Sequence, residues 1–230
     1  MSALAVLWFF LIFVLIAGYF LLDGFDLGVG VLYRALAKDE RERALVRRSI
    51  GPVWDGNEVW LLTAGGALFA AFPAAYATTF SGFYLAVMLV LFGLIVRAVS
   101  LEFRAHDPQW ARAWDVCFTV GSLLPALLLG VALGNVIAGI PMAANGDYAG
   151  VPLLGLLSPF TLVAGLLGLA MCLSAGAAWV ALKAPAGSAV HKRAAKLRVP
   201  CQVAALVLFA VATVLAFAVV KPVFAPGMLA

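Results

Sequence analysis

Charge is the scarcest commodity in this chain of 230 residues: 11% are Asp, Glu, Lys or Arg and 65% are apolar. An ordinary soluble domain carries roughly 25% charged and 45–50% apolar residues. This scarcity excludes a sizeable water-soluble domain. Histidine is also scarce, and His106 and His191 both fall in polar connections, so no intramembrane imidazole is on offer to a haem iron. The three cysteines, Cys117, Cys172 and Cys201, are odd in number, lie in or beside apolar runs and lack CxxC or CxxCH spacing. They read as small buried hydrophobes. Met88 and Met171 are isolated in apolar runs, where packing is the expectation. There is no P-loop, no HExxH and no Ser-His-Asp pattern in a plausible context. No redox, metal or hydrolytic centre is evident in this chain by itself.

What is present is a series of long apolar runs. A spanning helix needs about 20 mostly apolar residues, and lipid leaves unpaired backbone groups unsatisfied, so the expected fold is an all-α integral membrane protein with about six transmembrane helices. The runs are too long and continuous for membrane β-strands. Helix one is expected over Leu4–Tyr33. It lacks a basic n-region and a cleavage site, and so reads as a retained helix. Helix two is placed at about Pro52–Phe72 and helix three at about Tyr76–Val96, with a tight turn at Phe72-Pro73-Ala74. Helix four is expected over Val116–Ala138 with Pro125 as a kink, helix five from Pro159 after a Ser158 cap to Leu182, and helix six over Val199–Val220. The domain reading is a first four-helix bundle (1–138), a turn-rich periplasmic connection (139–157) with Asn145, Gly146 and Asp147, and an incomplete second bundle (158–230).

The net charge of +4 is confined to short breaks between these runs, a signature of topology rather than of nucleic-acid binding. Lys and Arg number six, none, three, none and five in successive connections. By the positive-inside rule the first, third and fifth connections are cytoplasmic and the N-terminus is periplasmic. Asp23 and Asp26 then lie toward the cytoplasmic end of helix one, and Asp55 and Glu58 at the cytoplasmic start of helix two.

These acids are the chemical anomaly. A carboxyl at the bilayer centre costs roughly 2.5–3.5 kcal/mol, against the roughly 0.3–0.6 that an apolar residue returns. Asp23 and Asp26 are three apart, as are Asp55 and Glu58, so each pair shares a helix face. Such pairs can relay protons; the plainer reading is that they cap helix ends or pair with Arg34, Arg47, Arg48 or Arg97. Gly24 and Gly28, with Gly65, Gly66, Gly82 and Gly93, read as sites of close helix packing. Trp54 and Trp60 flank the second acid pair as interfacial anchors or core residues.

LLDGFDLGVGVL (Leu21–Leu32), GPVWDGNEVWLLTAGGALFAAFP (Gly51–Pro73) and FSGFYLA (Phe80–Ala86) closely resemble subunit II of cytochrome bd-type ubiquinol oxidases, including the cyanide-insensitive branch. The likeness continues through Arg97, Glu102-Phe103-Arg104, Trp114-Asp115 and Gly134-Asn135. The resemblance implies a haem-free partner of a subunit I that holds two b-type and one d-type haem and oxidises quinol while reducing oxygen to water. It implies a bacterial inner-membrane location and, as further partners, small single-helix subunits, lipid and quinone. By resemblance Asp55 is the entrance of a cytoplasmic proton path between the subunits. By the same resemblance Asp26 and Arg97 are members of that path or an ion pair that orients Asp55; Asp23 and Glu58 are read with them as path candidates, and Trp54 and Glu102 as supporting residues. The family pattern has eight helices in two four-helix halves, against which this chain reads as C-terminally truncated. The alternative is a proton-coupled transporter, which buried acids and glycine-rich helices would also suit, although DGFD and WDG have no second copy.

Overall fold

The computed structural model describes residues 2–141, 143 and 148–219. The expected turn residues Asn145, Gly146 and Asp147, the end of the last helix at Val220 and the tail after it lie outside the described residues. Among the described residues eight α-helices follow in order: α1 (Ala3–Leu36), α2 (Glu40–Ile50), α3 (Trp54–Ala71), α4 (Pro73–Gly82), α5 (Tyr84–Phe103), α6 (Ala111–Ala138), α7 (Pro159–Lys183) and α8 (Ala189–Val219). Five of them, α1, α5, α6, α7 and α8, are long and apolar enough to cross a membrane, and the chain is a multi-pass membrane protein. α3 begins with Asp55, Asn57 and Glu58 and falls outside that set.

α1 is the central element, packing against α3, α6 and α7. Its first half turns large apolar side chains outward, Leu4, Phe9, Phe10 and Phe13 among them. Its second half is buried on nearly every turn. At 1.5 Å per residue Asp23 lies about 30 Å along the helix from Ala3, roughly one hydrocarbon thickness. The acids therefore sit at the far end of a span. Beyond them, Val29, Leu32, Tyr33 and Leu36 meet Val46 and Ile50 of α2, Phe118 of α6, Ala177 and Val180 of α7, and Val190 and Ala194 of α8 in the largest apolar cluster. α2, capped by Asp39 through the Glu42 N–H at 2.9 Å, is thus a short amphipathic helix within the first basic connection.

Four boundaries differ from the sequence reading. The break at Phe72-Pro73 is real, but Pro73 opens a ten-residue helix, and a second break follows at Phe83. Phe83 is buried there with Ala86 and Leu156, and the Tyr148 ring covers Gly82 at 3.3 Å from where a Cβ would lie. Helix three then runs seven residues past Val96, because Arg97 is neutralised inside the bundle and does not end the span. α6 and α8 begin earlier than expected, at Ala111 and Ala189. On α8 the spacing of Val190, Ala194 and Leu197 turns apolar side chains into the cluster, while Lys192, Lys196 and Arg198 are exposed and Arg193 reaches back to α1 and α2.

The start of α7 follows the sequence closely. Ser158 Oγ accepts the Thr161 N–H at 3.2 Å and Thr161 Oγ1 accepts the Ser158 N–H at 2.8 Å, a reciprocal cap ahead of Pro159. Replacing Ser158 with Ala is expected to cost about 1 kcal/mol, read as a lowered thermal unfolding midpoint in detergent. An unchanged midpoint would show that Pro159 alone sets the helix start.

Candidate functional site

The acids of α1 face α3 and α5. Arg97, fully buried on α5, donates from NH2 to Asp23 Oδ1 at 2.9 Å and from NH1 to Glu58 Oε1 at 2.7 Å, with a longer contact to Asp23 Oδ2 at 3.4 Å. Asp23 is fully buried and the Glu58 side chain is 22% exposed. The indole of Trp54 lies 5.9 Å from the guanidinium carbon, within the range of a cation–π contact. One turn along α1, Asp26 is also fully buried. Its Oδ2 accepts from Asn57 Nδ2 at 2.7 Å, and the same amide reaches the Leu22 carbonyl at 3.3 Å. Asp26 Oδ1 has no hydrogen-bond partner among the described residues. Two carboxyls, Asp23 and Glu58, thus share one guanidinium in the interior, and Asp26 is held beside them by the Asn57 amide.

Asp55 is elsewhere. It is exposed in the first turn of α3, its Oδ1 accepting only the N–H of Gly56 at 2.8 Å. Asp55 and Glu58 are neighbours along the helix, but only Glu58 rotates far enough inward to reach Arg97. Arg97 pairs with Asp23 and Glu58, so the geometry makes it the counter-ion of the buried acids and not the orienter of Asp55. Glu102 is exposed near the end of α5, and its backbone carbonyl meets His106 Nδ1 at 3.0 Å.

Two participants escape a sequence reading. Asn57 was hidden by being uncharged, although its i+2 offset from Asp55 places it on a different face, the inward one. Tyr19, 1% exposed, sits one turn before Asp23; the signal available was its position four residues earlier on the same stripe. Trp60 resolves as a packing residue, its ring lying where a Cβ on Gly18 would be, 2.4 Å away.

A second polar cluster ties down α2. Arg104 donates from Nε to Asp115 Oδ1 at 2.8 Å and from NH2 to Glu40 Oε2 at 2.7 Å, and Arg43 meets Asp115 Oδ2 at 3.1 Å. Burial acts to lower the Arg104 pKa, but the bonds from Asp115 and Glu40 outweigh it and hold the guanidinium above its ordinary value. Arg47 bridges Glu40 and the Tyr33 hydroxyl. Arg193 of α8 binds the Leu36 carbonyl at 2.8 Å and the carboxylate of Glu42, whose pKa is lowered chiefly by that hydrogen bond. This cluster closes the basic end of the bundle over the buried acids.

Comparison with known proteins places this geometry. The profile of the family described as cytochrome bd terminal oxidase subunit II matches residues 4–230. The chain is 44% identical over 183 residues to a probable cytochrome oxidase subunit 2 of Haemophilus influenzae, covering 77% of this chain and 48% of that one. It is 41% identical over 212 residues to the cytochrome bd-I ubiquinol oxidase subunit 2 of Escherichia coli, covering 90% and 54%. A Bacillus subtilis cytochrome bd ubiquinol oxidase subunit 2 is 46% identical over 147 residues, covering 63% and 44%. The chain therefore spans about half the length of the curated relatives it matches. The fold is that of a chain in the bd oxidase structure from Geobacillus thermodenitrificans, with a TM-score of 0.71, 19% identity, and 90% of this chain and 66% of that one covered.

Proposed function

Because the chain belongs to the cytochrome bd terminal oxidase subunit II family, we propose that it serves as the haem-free second subunit of a quinol oxidase in a bacterial inner membrane. In this reading it is paired with a subunit I that binds the haems, oxidises quinol and reduces oxygen to water. Its own contribution is a proton path from the cytoplasmic side. The family match favours this over a proton-coupled transporter.

The observation that carries the proton reading is the sequence of ionisable groups from the surface inward. Asp55 is exposed at the start of α3. Glu58 is one turn on and half-sheltered, hydrogen-bonded to Arg97, which in turn binds the fully buried Asp23. Asp26 and Asn57 form a parallel polar contact on the same side of α1. An exposed carboxylate can take a proton from water, and a coupled buried set can pass one on without leaving a bare charge in the bilayer interior. Both histidines engage backbone carbonyls at the polar ends of the helices, His106 that of Glu102 and His191 that of Ala181. This donor set does not fit an axially ligated haem, which supports assigning the haems to the partner subunit.

Asp55→Asn in the purified complex is expected to slow quinol-dependent oxygen uptake by about tenfold or more, with the haem spectrum and content unchanged. Turnover equal to that of the unmodified complex would remove Asp55 from the proton path. A complex of the unmodified protein without haem absorbance and oxygen uptake would overturn the oxidase reading altogether.

A further inference from the structure

At the basic end of the bundle, the last turns of α2 and α7 and the chain at Pro52-Val53 line an open cavity of about 220 Å³. Its lining is Leu45, Arg48, Ser49, Pro52, Val53, Trp179 and Lys183. The wall is held from two sides: Trp179 Nε1 donates to the Ser49 carbonyl at 2.9 Å, and the indole stacks on Phe25 with ring centroids 4.1 Å apart. α2 and α7, 130 residues apart in sequence at that bond, are thereby locked together around the opening.

Two cations line it and no carboxylate does. Arg47, the neighbour of Arg48, is engaged by Glu40 and Tyr33. Arg48 itself has no side-chain hydrogen bond or ion pair among the described residues, and Lys183 has only the Trp179 ring, 4.8 Å from its Nζ. Both side chains are exposed. Apart from Ser49 the remaining lining is apolar, and Leu182, beside Lys183 on α7, is 75% exposed. A free inorganic anion would gain the two charges but nothing from Leu45, Pro52 and Val53. A phospholipid satisfies both, its phosphate between the bases and its first acyl carbons on the apolar rim.

We infer that Arg48 and Lys183, against the Trp179 wall, form a binding site for the headgroup of an anionic phospholipid. The lipid would bridge α2, α7 and the Pro52-Val53 chain that leads into α3 at the basic membrane face, where the basic connections already favour anionic lipid. The site is separate from the acids of α1 and involves no residue of the proton path.

Native mass spectrometry of the purified complex, titrated with phosphatidylglycerol, phosphatidylcholine of the same acyl chains, or inorganic phosphate, tests this. One tightly held phosphatidylglycerol per chain is expected. The double variant R48Q/K183Q should weaken that binding about 30-fold, two bases each contributing about fivefold at a membrane surface, while the charge-preserving R48K/K183R retains it. Undiminished retention by R48Q/K183Q, equal affinity for phosphatidylcholine, or loss in both double variants would overturn the inference. Displacement of the lipid by millimolar inorganic phosphate would make the site a phosphate site instead.

Discussion

Replacement of Arg97 by Met is expected to destabilise the folded protein by about 3–5 kcal/mol, the cost of leaving a buried charge without its partner. Arg97 and Asp23 are both fully buried, and each is held by the other at 2.9 Å. A methionine fills much of the same volume, so the loss is electrostatic and not a cavity effect. Asp23 would remain on α1 with no cation and no water. Removing both charges in R97M/D23L should recover more than half of the loss, because Glu58 keeps partial exposure and can be solvated. Thermal unfolding of the purified complex in one detergent gives the comparison. If the single variant unfolds at the unmodified midpoint, or the double variant is no better than the single, the pair does not hold α1 to α5. A charge pair of this kind stabilises little when intact, which is why breaking one member is the informative experiment.

The second large effect is expected at Gly28. A Cβ there would lie 1.8 Å from the backbone oxygen of Cys172 and 2.5 Å from its carbonyl carbon, far inside the 3.4 Å of ordinary contact. Gly176 opposite is in the same position, its Cβ meeting the carbonyl carbon of Gly28 at 2.5 Å. The obstacle is backbone on both sides, so no rotamer change relieves it, and α1 and α7 must move apart. That separation opens the cluster in which Val29, Leu32 and Leu36 meet Ala177 and Val180. Gly28→Ala should cost about 3 kcal/mol, the upper end for overpacking, and should sharply lower the yield of folded protein. Gly65→Ala is the matched comparison: nothing among the described residues lies within 4 Å of its Cβ, and its intrinsic effect should be a gain of no more than about 1 kcal/mol. Equal yields for the two variants would mean that α1 and α7 do not approach as closely as the structure has them.

The two glycines look alike in sequence, each among apolar residues of a helix, and both read as packing sites. Of these two, Gly28 is one among the described residues and Gly65 is not; Gly93, which Pro125 of α6 approaches at 3.0 Å, and Gly82, under the Tyr148 ring, are packing sites as well. The same limit applies to the acids. Spacing put Asp55 and Glu58 on one face, but two residues three apart differ by about 60° around the helix. A neighbour arriving at the edge of that face buries one and leaves the other out. The helix ends moved for a related reason. Arg97 and Asp115 look like the ends of spans when charge is taken as the boundary, yet each is neutralised by a partner on another element and is carried within its helix.

What the sequence determined by itself is the solvent, the helical class, the central part of each span and the end of the molecule at which the acids gather. These follow from composition and from runs of about 20 residues, and are local properties of the chain. The reciprocal cap at Ser158 belongs with them, since its two partners are three residues apart. Only the tertiary structure decided which charge answers which. Asp23 and Arg97 are 74 residues apart, and Asp26 and Asn57 are 31. The choice of Arg97 over Arg34, Arg47 or Arg48 came from the close approach of helix backbones, because in a low-dielectric interior a carboxyl must pair with whichever donor the packing brings within reach.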